Sequence, residues 1–165
     1  MSSGTYINWL CSDDMLAPNA LWNISNEVSK SNADVILGNC RKIFFVNNCK
    51  SKQLLHSHKQ DAFDRLPYDN LIAQPSCFYR RETLRNKNPV NETFNYSMDR
   101  ELWSYLKSKT TKWSIIDKEL SIYPHWPESK TETRGFRAIY EQWTISRTYG
   151  NMPLVLLAMH LTLRW

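Results

Sequence analysis

Tyr6-Ile-Asn-Trp-Leu-Cys-Ser-Asp-Asp14 (YINWLCSDD) is the stretch whose reading decides the fold. Its first half has the aromatic and β-branched content of a strand, which predicts extended chain over Thr5 to Leu10. That strand delivers two adjacent carboxylates to one point. Read locally, Ser-Asp-Asp ahead of a helix is a turn or an N-cap, because these side-chain oxygens accept backbone N–H groups. Read chemically, two acids leaving a buried strand suit a divalent cation, since hard cations prefer carboxylate oxygen and join protein carboxylates to substrate phosphates. The nine residues by themselves favour the turn.

Downstream, Pro18 suits a first helical turn, and Leu21, Ile24 and Val28 recur at helical spacing. Asp34–Gly38 and Lys42–Val46 read as two further strands, the first an apolar run of the kind found in covered sheets. Residues 47–70 are polar and read as a long irregular excursion. Leu71–Arg81 is extended, with Pro75 pointing to an edge or a bulge. Asp99–Lys109 is a helix with Leu102, Trp103 and Leu106 on one face, and Trp113–Tyr123 returns as strand. Pro124–Arg134 is a loop, and Phe136–Tyr149 is a helix closed by Gly150. The order is mixed α/β, with neither a repeat nor a linker to split the chain.

A length of 165 residues suits one domain with a real core, and 42% hydrophobic against 22% charged residues excludes a disordered chain. A net charge of +5 would suit an anionic partner, but the basic residues are scattered. Nucleic-acid binding would need exposed aromatics beside clustered Lys and Arg, whereas the tryptophans fall at core-like positions, so no nucleic-acid partner is expected. Cys11, Cys40, Cys49 and Cys77 form no CxxC pair and read as free thiols of a reducing compartment. Asn23, Asn91 and Asn95 begin glycosylation-type triplets with no signal peptide to support them. The expected setting is cytoplasmic. Met152–Leu163 is too short to span a bilayer, and residues 151–165 read as a core or interfacial helix making peripheral contact with the inner face of the membrane.

Five segments in order then carry a resemblance. They are Gly4–Leu21 with its Asp13-Asp14, Ala33-Asp-Val-Ile-Leu-Gly-Asn39, Ile72-Ala-Gln-Pro-Ser-Cys-Phe-Tyr-Arg-Arg81, Asn91–Trp103 with Met98-Asp99, and Tyr123-x-His125-x-x-x-Ser129-Lys130-Thr131. Together they resemble family 2 glycosyltransferases of the GT-A type, whose acidic loop is the so-called DxD motif. The resemblance implies a partial GT-A (nucleotide-diphospho-sugar transferase-like) three-layer fold over residues 1–150, a mixed sheet flanked by helices. It also implies sugar transfer, with inversion, from a nucleotide-diphosphate donor of the UDP type to a glycan or lipid-linked acceptor in polysaccharide or glycoconjugate synthesis. The cofactor it implies is a divalent cation, Mn2+ or Mg2+.

That chemistry needs neutralisation of the departing diphosphate, a carboxylate to take the acceptor's proton, and tolerance of oxocarbenium character at the sugar. By resemblance, Asp14 is the closer metal ligand and Asp13 lies toward the donor sugar or ribose. Asp99 is the general base, although a place in the first helical turn would lower its pKa unless burial offset the helix dipole. His125 completes the metal or pyrophosphate contact, and Ser129 and Lys130 bind phosphate oxygens. Trp103 reads first as core, with stacking on an acceptor sugar as its second role. Arg80 and Arg81 read as phosphate or acceptor contacts, or as a solvated strand end. Members of the family hold nucleotide base and ribose on strands ahead of the acidic loop. The expectation is therefore a carboxy-terminal part, weak or inactive alone, with strands 5–10 and 34–38 short of a neighbour. The rival expectation is a non-catalytic module that pairs through that open edge.

Overall fold

Two long parallel strands, β3 (Val35–Val46) and β6 (Trp113–His125), form the spine of the sheet in a computed structural model that describes residues 3–46, 49–59, 61–84, 88, 90–127 and 135–150. The remaining strands are β1 (Tyr6–Asn8), β2 (Met15–Leu16), β4 (Cys49–His56) and β5 (Cys77–Arg80), and the helices are α1 (Ala20–Ser31), α2 (Asp61–Arg65), α3 (Met98–Lys109) and α4 (Phe136–Tyr149). The strand order is β1-β5-β3-β6-β2, with β4 also on β3. All pairs except β3–β6 are antiparallel. The fold is thus mixed α/β, with helices flanking a mixed sheet.

The two apolar runs expected at 34–38 and 42–46 are one continuous strand. β3 is long enough to take two partners end to end: β5 opposite Val35–Leu37, then β4 opposite Cys40–Val46. Gly38 and Asn39 fall between the two ladders. Their carbonyls accept hydrogen bonds from side chains, His58 Nδ1 at 2.8 Å and Ser76 Oγ at 3.0 Å. Buried carbonyls need a partner, and here two side chains stand in for a missing strand. Gly38 also permits the close approach of β6, because a Cβ there would lie 2.8 Å from the Lys118 carbonyl oxygen and closer still to Leu120. β3 is therefore central rather than short of a neighbour; among the described residues β1, β2 and β4 each pair on one side only.

Two apolar layers cover the sheet. Below, Val35, Leu37, Cys77 and Tyr79 pack on Phe63 and Leu66 of the α2 region and on Leu102, Trp103 and Leu106 of α3. Above, Ile36, Phe78 and Leu120 pack on Ala20 and Ile24 of α1. The face of α3 is the one its spacing predicts. That of α1 is rotated: Ala20 replaces Leu21, which is 63% exposed. Pro18 lies ahead of that helix, which begins only after Asn19 in a left-handed conformation (φ 62°), a state Asn tolerates well. Pro75 marks neither edge nor bulge, for it sits in the middle of a single 3₁₀ turn (Gln74–Ser76) leading into β5, which lies between β1 and β3.

The excursion at 47–70 contains structure after all, the strand β4 and the short helix α2. At the far end, Gly150 closes α4 through its N–H to the Ser146 carbonyl (3.0 Å) with φ −103°, so left-handedness is not its role. A Cβ at Gly150 would meet the Tyr68 ring at 2.6 Å. All four cysteines are free thiols. No helix among the described residues is long and apolar enough to cross a membrane. The segment 151–165, with its expected membrane contact, lies outside the described residues.

Candidate functional site

At the end of β1 the chain turns back on itself at the two acids. The Asp14 N–H donates to the Cys11 carbonyl (3.2 Å), while Asp14 Oδ2 accepts the Cys11 N–H (3.1 Å). The turn expected from Ser-Asp-Asp is present, but the N-cap is not, since Asn19 occupies that position. Asp13 is exposed and Asp14 is buried, 8% exposed. Its second oxygen, Oδ1, is buried with no hydrogen-bond partner. Burial holds the Asp14 carboxyl above the usual carboxylate range, and the neighbouring charge of Asp13 adds to this. A desolvated carboxylate oxygen left without a donor is costly by itself, and a cation at that oxygen would supply the missing interaction.

Beside the turn runs the connector 70–76, which bonds the chain around the turn at one end and Asp99 at the other. Gln74 Nε2 donates to the Trp9 carbonyl (2.9 Å) and lies 3.4 Å from Cys11 Sγ. Asn8 Nδ2 donates back to the carbonyls of Pro75 (3.1 Å) and Cys77 (2.9 Å). At the other end of the connector, Asn70 Nδ2 donates to Asp99 Oδ2 at 2.8 Å. One short segment thus spans from the acidic turn to the expected general base.

Asp99 stands in the first turn of α3, where its Oδ1 also accepts the Arg100 N–H (2.7 Å). The helix start by itself would lower its pKa. Desolvation by the surrounding protein outweighs that and the two hydrogen bonds, and the carboxyl is held above the usual range. Desolvation is thus the larger influence on this carboxyl. What fixes the helix start is Glu141 of α4. Its buried carboxylate accepts the N–H groups of Asn95 (2.7 Å), Tyr96 (2.7 Å) and Ser97 (3.1 Å), and it pairs with Arg137 Nε at 3.2 Å. Ser97 makes no side-chain cap, and a carboxylate from another helix instead holds the backbone that leads into α3.

His125 ends β6. Met15, the residue after Asp14, stands opposite Ile122, three residues before His125 on the same strand. The ring of His125 tilts against Phe44 (4.8 Å between centroids) and Tyr123 (6.2 Å). Among the described residues no group of three His, Cys, Asp or Glu side chains converges as a metal cage.

Two expected contacts are corrected by the structure. Trp103 is fully buried between sheet and α3, edge-on to Tyr79 at 5.9 Å, and has no face for an acceptor sugar. Arg80 lies opposite Tyr6, at the end of β1 away from the acids. There it is consumed by Asp34 (3.0 Å), Asn32 (2.7 Å) and Tyr6 (2.9 Å to the hydroxyl). It is a structural ion pair rather than a phosphate or acceptor contact. Ser129 and Lys130 lie outside the described residues.

The sequence reading missed Gln74, Asn70, Glu141 and His58 as members of the site. His58 is 8% exposed, and its Nε2 accepts the Ala73 N–H at 3.0 Å while Nδ1 faces the Gly38 carbonyl. An imidazole between an N–H and a carbonyl is neutral, with its proton on Nδ1. Burial, reinforced by His56 and Lys42, pushes its pKa from 6.5 down to about 4. The unfolded chain takes up this proton near pH 6.5 and the folded one only near 4. Stability is therefore complete above 6.5 and falls as pH drops toward 4, by about 3 kcal/mol over the window. Urea unfolding of wild type and His58→Gln at pH 7.0 and 4.5 checks this. The wild type should lose that increment and the variant should not.

No family model and no curated protein sequence matches the chain. Its fold does match solved structures. S. aureus TarS 1-349 in complex with UDP-GlcNAc superposes with a TM-score of 0.61 at 13% identity, covering 97% of this chain and 47% of TarS 1-349. The complex with UDP gives 0.60 at 16% identity, covering 97% and 46%. The longer structure of S. aureus TarS gives 0.60 at 15% identity, covering 97% of this chain and 28% of that one. The likeness is one of fold, and the chain spans less than half the length of the proteins it matches.

Proposed function

We propose that the chain forms part of a glycosyltransferase that moves a sugar from a nucleotide-diphosphate donor, of the UDP type, to a glycan or lipid-linked hydroxyl in glycoconjugate or polysaccharide synthesis. The observation that carries the reading is Asp14. A buried carboxylate with an unpartnered oxygen lies in the turn between the first two strands of a fold shared with a protein crystallised with UDP-GlcNAc and with UDP. Without a cation that arrangement is a liability; beside a metal-bound diphosphate it is a binding site.

In this reading Asp14, with His125 beyond it, holds Mn2+ or Mg2+, which when bound neutralises charge on the diphosphate. Asp13, exposed beside it, faces the donor sugar or ribose. Asp99 accepts the proton of the acceptor hydroxyl, and attack on the sugar face opposite the diphosphate inverts the anomeric carbon. A carboxyl held above the usual range is a stronger base than an ordinary exposed aspartate, provided it remains ionised at the working pH. Ser129 and Lys130 add phosphate contacts. The work takes place on the cytoplasmic side, with residues 151–165 at the membrane surface.

The test is the melting temperature with and without UDP and MnCl2. Ligand at about 100 times its Kd stabilises by about 2.7 kcal/mol, a shift of several degrees. Asp14→Asn should abolish that shift while leaving the unliganded protein as stable as before or more so, because an unpaired buried charge has been removed. A full UDP-dependent shift in Asp14→Asn would overturn the assignment.

A further inference from the structure

Gly38 lies where β3 passes from one partner strand to the next, and the side chain that fills the gap is titratable. His58 Nδ1–H donates to the Gly38 carbonyl at 2.8 Å, and Nε2 accepts the Ala73 N–H at 3.0 Å. Ala73 opens the turn of the connector. The next residue, Gln74, grips the Trp9 carbonyl, and two residues on from Trp9 the Cys11 N–H holds Asp14 Oδ2. A chain of short contacts therefore runs from one imidazole to the buried acid. His56 supports the same segment, its Nε2 2.9 Å from the Leu71 carbonyl.

From this geometry we propose that His58 is a positioning residue: as the neutral Nδ1–H tautomer it pins the 70–76 connector and with it the acidic turn, and protonation of the ring releases both. The consequence for nucleotide-diphosphate binding rests on the reading of Asp13 and Asp14 given above. An imidazolium carries N–H groups on both nitrogens, so Nε2 would turn from acceptor to donor against the Ala73 N–H. Two facing donors cannot share a hydrogen bond in a buried site, and the connector must move away or the ring must leave. The charged groups bearing on the ring are His56 from β4 and Lys42 from β3, and both oppose a further positive charge. The connector itself, Asn70 to Ser76, brings no titratable side chain. The same segment bonds Asp99 through Asn70, so its release would also disturb the expected base.

The experiment compares wild type, His58→Gln and His58→Leu. Long-range 1H–15N spectra report the tautomer and titration of His58. Hydrogen exchange reports the protection of the Cys11 amide, corrected for intrinsic rate. Calorimetry with UDP and MnCl2 at pH 7.0 and 4.5 reports binding. The ring should be the neutral Nδ1–H tautomer at pH 6 and protonate near pH 4. His58→Leu, which lacks an acceptor for Ala73, should lose about 10-fold in Cys11 protection and in UDP affinity at pH 7.0, the worth of roughly one buried hydrogen bond. His58→Gln, which offers an acceptor that does not titrate, should retain both, and should hold at pH 4.5 the protection that wild type loses. Titration of the ring near 6.5, the opposite tautomer, or unchanged Cys11 protection in His58→Leu would each overturn the proposal. Cys11 protection that tracks His58 in a protein that never binds UDP supports the positioning role and overturns the transferase reading instead.

Discussion

Glu141→Ala is expected to lower the unfolding free energy by about 3–5 kcal/mol, a large share of what a domain of this size possesses. The reason is the number of donors that one carboxylate satisfies. The N–H groups of Asn95, Tyr96 and Ser97 all point at Glu141 at 2.7–3.1 Å, and Arg137 adds a fourth partner. Glu141 is 2% exposed, so truncation removes one buried acceptor shared by three amides that lead into α3, with little water at hand. Hydrogen bonds to a charged acceptor are about twice as strong as neutral ones. Glu141→Gln preserves the shape but turns one acceptor atom into a donor that faces backbone N–H groups, and it should cost about 2 kcal/mol. Urea unfolding followed by tryptophan fluorescence measures both. A loss below about 1 kcal/mol in the alanine variant would show that the α3 start relaxes onto solvent. The effect reaches the site because the first turn of α3 carries Asp99.

Asp99→Asn should reduce sugar transfer by about 10²–10⁴-fold in the intact protein, the usual contribution of a positioned general base. UDP binding should be unaffected, since the substitution lies at the connector's far end from the acidic turn. The helix should also persist, because an asparagine oxygen still accepts the Arg100 N–H that Asp99 accepts now at 2.7 Å. This separates the base from a helix-start role, which asparagine would fill with the rate spared. The pH profile supplies a second sign. Desolvation raises the Asp99 pKa, so the acid limb of kcat/KM should lie above the range of an ordinary aspartate. Steady-state release of UDP from a sugar nucleotide, measured across pH, tests both statements. An Asp99→Asn enzyme within a few-fold of wild type would remove Asp99 from the mechanism.

The sequence determined those features that apolar spacing and local chemistry encode. The face of α3 follows from Leu102, Trp103 and Leu106, and all three are fully buried. The turn at Asp13-Asp14 follows from what short polar side chains do after a strand, and the mixed α/β order follows from the alternation of runs. The tertiary structure decided whatever depends on partners distant in sequence. β4 carries no apolar alternation and is a strand only because β3 extends past β5 and offers it an edge. Trp103 and Arg80 looked available to a ligand until packing enclosed the first and Asp34, Asn32 and Tyr6 took the second. His58 lies 15 and 20 residues, and Glu141 more than 40, from the backbone groups they satisfy. Periodicity reports which side chains leave water. It does not report where a buried polar group finds its partner, because that is settled only when distant segments close on one another.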